Sequence, residues 1–247
     1  MRSLLLAGMV LLGTSCPMYG QTPRVAVDHI FVVVQPGGIA EAAALREAGF
    51  TVSDRPTRHD GQGTASVSAL FQNMYLELLW VDSTVSLSPD NSADAEHFRK
   101  AADWRSSGAS PFGVGLRKSA DSVTLGVPGK SYSAPWMKPG TAIELLRQNP
   151  YELDLFVVPG HMSLPQWIGV MAEKHPALLL HANGVGEVSA VTVHGSAKHR
   201  PGALEVLRLP SFTFSESDTP LLELEFDRGR KDQTVDLRPL LPILIRR

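Results

Sequence analysis

Between Val25 and Ser83 the spacing of apolar and polar positions changes period several times, and each change marks an element. VAVDHIFVVV alternates with a period of two, which groups Val25, Val27, His29, Phe31 and Val33 on one strand face. Gln35-Pro36-Gly37-Gly38 breaks that strand, with Pro36 just ahead of a helix start. IAEAAALREAG then takes the helical period, turning Ile39, Ala42, Ala43 and Leu45 to one side and Glu41, Arg46 and Glu47 to the other, and Gly49 closes it. FTVSDRP reads as a second strand, RHDGQG as a glycine-rich turn and TASVSALF as a third strand. QNM, with Asn73, is a tight turn into MYLELLWV, where Tyr75, Glu77, Leu79 and Val81 share a face. The pattern predicts a βαβββ unit over 25–83. His29 and Glu77 each interrupt an apolar face, and a buried imidazole or carboxylate is costly unless paired, hydrogen-bonded or bound to metal. Their place on the first and last strands of one unit makes them half of a metal site, expected to meet across the sheet.

Further along, ADAEHFRKAADWRSS predicts an exposed helix with Phe98, Ala101 and Ala102 on one side. PFGVGLRK, SYSAPW, TAIELLRQ and YELDLFVV then read as strands separated by Pro and Gly. They form a degenerate second unit over 111–158, its helix shortened or lost around SADSVTLG. A helix near Pro165–Lys174 follows. GEVSAVTVHG, LEVLRLP, SFTFSE, LLELEFDRG and QTVDLRPLLPILIRR supply further strands over 187–247. The fold class is α+β, repeated βαβββ units forming cupped mixed and antiparallel sheets, one continuous body over 21–247.

Composition narrows the partners. The 247 residues are 43% hydrophobic and 19% charged with a formal net charge of -2, ordinary for a globular protein and without a nucleic-acid footprint. MRSLLLAGMVLLGTSCPMYGQTP predicts a signal peptide over 1–20, too short to span a bilayer, cut after Gly20. Periplasmic or extracellular export follows. Ser15 and Thr14 before Cys16 open a second reading, a lipid anchor at Cys16, although Gly13 replaces the usual Leu. That anchor would be the chain's one membrane contact. Cys16 is the single cysteine, so the folded part holds no disulfide, thiolate nucleophile or cysteine zinc site.

VDHIFVVV, the helix ending REAGF, then RHDGQGT and YLELLWVD, in order and with fitting gaps, resemble a glyoxalase-like domain of the vicinal-oxygen-chelate superfamily. The resemblance implies the glyoxalase/bleomycin-resistance fold and, in its metal-using members, a divalent ion held by first- and last-strand residues of paired units. It makes His29 and Glu77 metal ligands, and Glu77 and His59 the candidate catalytic groups. The partner half departs from that pattern. FGVGLR against DHIFVV puts glycine or valine at the first-strand position, while ELDL puts Asp154 opposite Glu77. In the last unit Glu223 stands there, and Ala190 falls where His29 does. Ser66 replaces an Asn common in the family.

Plainer readings stand beside these. His29 also reads as a satisfied core histidine bonded to a neighbouring carboxylate or carbonyl, and Glu77 as a partner of His29 or Arg58. Asp154 and Glu223 share faces with Glu152 and Glu225, which favours solvated strand faces. His59 beside Asp60 reads as an exposed loop histidine or as one led into the cavity by its turn. His161, His175, His181, His194 and His199 lack metal-motif spacing, although a third ligand is expected from His59 or from a loop histidine such as His181 or His161. Ser163 in GHMSLP is not a nucleophile elbow, and neither GVGLR nor GGIAEA is a dinucleotide loop, so no nucleotide cofactor is expected. Trp80, opposite Glu77, belongs to the core. Three functions follow: a metal-assisted enzyme on a small oxygen-rich substrate, a metal-free protein that sequesters a small molecule, or a structural cell-envelope protein.

Overall fold

In a computed structural model of the chain, residues 24–247 are described. The expected leader over 1–20 and Cys16 lie outside them. The first half runs β1 (Val25–Val33), α1 (Ile39–Glu47), β2 (Thr57–His59), β3 (Thr64–Leu70) and β4 (Tyr75–Val81). Two helices, α2 (Ser92–Ala102) and α3 (Trp104–Ser107), lead to β5 (Phe112–Lys118), β6 (Lys130–Tyr132), β7 (Ile143–Leu145) and β8 (Asp154–Val157). These strands make one eight-stranded mixed sheet in the order β2-β3-β4-β1-β5-β8-β7-β6. β1 pairs parallel with β4, β5 parallel with β8, and β1 and β5 run antiparallel at the centre. Turns and bends, with no helix, connect β5 to β6.

The sheet is curled. Every strand except β5 sends side chains to one cavity, from Thr57 and His59 on the edge strand β2 to Tyr132 on the opposite edge β6. The other face carries the main core, where Ile30, Val32, Leu76, Leu78, Val114 and Leu155 meet Leu45 of α1. That core extends into a second sheet built from β9 (Val188–Gly195), β10 (Phe212–Glu216), β11 (Leu221–Phe226), β12 (Thr234–Asp236) and β13 (Ile243–Arg246), in the order β10-β9-β11-β13-β12. Phe226 of β11 packs on Phe50 and Phe71, with ring centroids 5.6 and 4.8 Å apart. Asn73 ties the β3–β4 turn to the second sheet, donating to the Val188 carbonyl (2.8 Å) and accepting from its N–H (3.0 Å). Before that sheet comes α4 (Leu164–Lys174), whose Leu164 is its only buried residue.

Several expectations are corrected. The strict alternation along β1 fails at Asp28, where a bulge interrupts pairing with β5. Val25 and Val27 therefore join Ile30 and Val32 in the main core, while His29, Phe31 and Val33 face the cavity side. FTVSDRP is not a strand: Pro56 has no N–H to donate, and the hairpin instead uses Thr57–His59 against Thr64–Ser66. LEVLRLP coils through a short 3-10 turn at Gly202–Glu205, since Pro201 and Pro210 remove ladder donors at both ends. The helix α2, expected exposed, buries Asp94, Ala95, His97, Phe98 and Ala101 and packs on β4 and β1.

Gly113 and Gly115 explain the missing side chains on β5. Phe31 and His29 are their cross-strand neighbours, and those rings lie across β5. A Cβ at 113 would stand 2.1 Å from the Phe31 ring, and one at 115 would stand 2.4 Å from the His29 Cε1. The mutational consequence is direct. Gly113→Ala and Gly115→Ala are each expected to lower stability by about 1–3 kcal/mol through overpacking. Gly169→Ala, in the exposed stretch of α4 with nothing near its added Cβ, should raise it by about 0.5–1 kcal/mol. Urea unfolding of the three variants decides the matter.

Burial also makes the fold acid-sensitive. Desolvation holds His97, His181 and His199 below the ordinary histidine pKa, against partners that raise it. With folded pKa values depressed, the unfolded chain binds more protons once the pH drops below about 6.5. Stability is therefore expected to fall as pH falls through that point, by up to about 1.4 kcal/mol per pH unit for each histidine. Urea midpoints measured from pH 8 to pH 5 check this. A flat profile would contradict it.

Candidate functional site

The cavity under the curled sheet has a volume of about 400 Å³. Its floor follows the pairing register of the four central strands. Glu77, Phe31, Gly113 and Asp154 form one cross-strand row, and Tyr75, His29, Gly115 and Phe156 form the next. With two glycines lying beneath rings, the floor is aromatic in the middle and acidic at each end. Leu79, Ile143, Leu145 and Val158 add aliphatic wall, and Phe98 from α2 packs on Phe31 at 6.1 Å. Trp167 and Met171 of α4 and Leu178 line it from outside the sheet, with Trp167 edge-on to Tyr75 at 5.6 Å.

His29 and Glu77 both reach this cavity, yet they do not pair. His29 Nδ1 lies 3.1 Å from Asp28 Oδ1. A carboxylate only accepts, so Nδ1 carries a proton in this contact. The ring stacks on Tyr75, with centroids 4.4 Å apart and planes 12° apart. Asp28 itself is completely buried, and its other oxygen accepts from the Leu164 N–H at 2.8 Å, the first residue of α4. Arg117 stands 3.6 Å away and donates to the Val27 carbonyl at 2.5 Å. One bulge residue thus orients the imidazole, caps the helix over the cavity and neutralises a guanidinium.

Glu77 instead neighbours His59, whose Nε2 is 3.8 Å from Oε1. His59 Nδ1 pairs with the Thr64 hydroxyl at 3.0 Å, and the ring packs on Trp136 at 5.2 Å. The glycine-rich turn does lead His59 into the cavity. Desolvation lowers its pKa, with the Glu77 carboxylate opposing that shift. Burial, then the Glu77 and Asp28 carboxylates, hold the Tyr75 phenol well above its ordinary range. Arg58 does not meet Glu77; it donates to the Thr84 carbonyl and hydroxyl. Ser66 also lines the cavity, where its hydroxyl is much shorter than the amide expected by resemblance.

At the opposite end, Asp154 is buried and lines the cavity, contrary to the solvated face expected for it. Arg147 binds it through Nε at 2.9 Å and binds Asp94 through Nη2. Lys130, largely exposed, stands 3.5 Å from Asp94. His97 points Nε2 toward Asp154 at 3.5 Å, while its Nδ1 meets the Pro150 carbonyl at 3.1 Å. Asp28, Asp94 and Arg147 were not singled out from the sequence. Asp28 had a visible signal, its place inside an apolar strand beside His29. Asp94 and Arg147 had none, because Arg147 lies 53 residues from Asp94, and its seven-residue spacing to Asp154 matches no motif.

Of the third-ligand candidates, His59 lines the cavity and the loop histidines His181 and His161 do not. His181 is a satisfied core histidine: Nδ1 accepts from the Thr51 N–H at 3.0 Å, and Nε2 lies 2.9 Å from the Leu70 carbonyl. His161 is exposed and outside the lining. Glu223 belongs to the second sheet, held by His194 (3.1 Å) and Arg246 (3.0 Å). The carboxylate behind His29 has the form of an outer-shell support for a ligating imidazole. The donor set still falls short, because among the described residues no three His, Cys, Asp or Glu groups gather as metal ligands. The residues do not fit a divalent centre, and in place of the expected pair His29 bonds Asp28 while Glu77 has only the His59 ring near it, at 3.8 Å.

The sequence matches no family model and no curated protein. Among solved structures, a hypothetical protein from Staphylococcus aureus is similar at a TM-score of 0.50. It is 12% identical, and the likeness covers 90% of this chain and 98% of that one. That likeness concerns the fold.

Asp28 generates the prediction here. Asp28→Ala leaves Arg117 and the Leu164 N–H without their buried acceptor and should cost about 3 kcal/mol. Hydrogen exchange at the Leu164 amide should accelerate and the His29 ring resonances should broaden. Unchanged exchange at Leu164 would separate α4 from the β1 bulge.

Proposed function

We propose that the protein is a vicinal-oxygen-chelate-type, glyoxalase-like binding protein that takes a small organic molecule into this cavity without a divalent metal centre. The fold-level part rests on strand order. β1 to β4 over 25–83 and β5 to β8 over 111–158 pair in the same sequence, first strand beside last, which supports reading them as two βαβββ units, the second without its helix. The observation that carries the function is the cavity itself. It is of small-ligand size, walled by aromatic and aliphatic side chains, with a few polar groups converging at His29, His59 and Glu77. A site for a divalent ion in this fold would draw ligands from both halves, and β5 supplies only backbone where His29 and Phe31 cross it.

The test uses an uncharged fluorescent probe, N-phenyl-1-naphthylamine, with metal analysis of the purified full chain. One probe per chain is expected to bind at micromolar affinity, and Ser68→Phe, which fills the cavity from β3, should abolish binding. Metal content should stay far below one ion per chain. Stoichiometric metal lost in both His29→Ala and Glu77→Ala would overturn the metal-free reading, and absence of probe binding would overturn the cavity as a binding site.

A further inference from the structure

We infer that the ligand of this cavity is a hydrophobic organic cation, a protonated or quaternary amine on an apolar body, with its positive charge seated against Glu77. The inference rests on the binding role proposed above and adds the ligand's chemical class. It begins with a mismatch of charge. Three carboxylates line the cavity, Glu77, Asp94 and Asp154. Arg147 bridges Asp94 and Asp154, and Lys130 adds to Asp94, so that end is matched within the fold. Glu77 is not. It is 9% exposed, accepts no hydrogen bond among the described residues, and has only the His59 imidazole near it, at 3.8 Å. No Lys or Arg of the described residues lies within ion-pair distance of it, and Arg55, the other guanidinium of the lining, is exposed at the rim.

A carboxylate facing a largely apolar cavity with no cation of the protein beside it favours a cationic partner. The cavity supplies what a cation needs besides the charge. Phe31 is the cross-strand neighbour of Glu77, Tyr75 precedes it on the same face, and Trp136 packs on His59 beside it. Aromatic rings beside a carboxylate are the combination that recognises alkylated ammonium groups, the ring quadrupole attracting the cation. An anionic ligand is less favoured there, since Arg147 turns its Nε and Nη2 to Asp154 and Asp94, and Arg55 stands at the exposed rim. The apolar remainder of the ligand would lie along Leu79 and Phe156.

Competition against N-phenyl-1-naphthylamine tests this with three probes of one shape: benzyltrimethylammonium, its carbon isostere neopentylbenzene, and the anion phenylmethanesulfonate. Benzyltrimethylammonium is expected to displace the fluorophore and phenylmethanesulfonate to fail. Glu77→Gln should weaken the ammonium probe about tenfold and leave neopentylbenzene unchanged. The variant removes an unpaired buried charge, so its melting temperature should equal or exceed that of the parent. Should it unfold, Trp136→Leu serves as the second variant, with selective loss of the ammonium probe again expected. Neopentylbenzene and the fluorophore binding while benzyltrimethylammonium does not, or Glu77→Gln leaving ammonium affinity intact, would overturn the cation and keep the cavity reading. Failure of all probes, fluorophore included, would remove both.

Discussion

The carboxylate of Asp28 is the constraint on which the site depends. A charge buried at the centre of a sheet must be answered by donors on every side, and these donors come from three separate parts of the chain. The bulge that holds it reverses the facing of β1 halfway along. Below it, Val25 and Val27 serve the main core; above it, His29 and Phe31 floor the cavity. The same carboxylate fixes which imidazole nitrogen carries hydrogen and where α4 begins. Orientation of a cavity group and placement of the element above it are therefore one interaction.

Much of the architecture was legible because it is local. Periods of two and 3.6 located β1, α1, β3 and β4 in the first half, and Pro and Gly punctuation located the strands of the second. The failures have physical causes. A bulge shifts alternation by one residue and leaves no compositional mark, which misassigned Val25 and Val27. Pro56 made a strand-like run unable to join a ladder. Within the site, His29, His59 and Glu77 were found as polar residues in apolar or turn contexts, and all three line the cavity. Their pairing was not legible. It depends on register between strands, which places Tyr75 rather than Glu77 beside His29. The Arg147 cluster was invisible for a related reason, since ion pairs that join α2 to β8 carry no spacing rule.

The two ends of the cavity solve the same electrostatic problem differently. Around Arg147, carboxylates from two elements share one guanidinium, and Lys130 beside Asp94 completes the balance of charge at that end. Around Glu77 the fold provides rings, a nearby imidazole and no cation. Charges answered by charges of the protein are structural; one that points at open volume is arranged for something that arrives.

The glycines of β5 carry a consequence for how such a chain can change over generations. Phe31 and His29 occupy the space in which side chains at positions 113 and 115 would stand. Any lineage that acquires a coordinating residue on β5 must first, or at the same moment, shrink or redirect the ring that crosses it. Intermediates with only one of the two changes suffer either a collision or a hole. A side chain at either position is therefore reached through two coupled changes rather than through single substitutions.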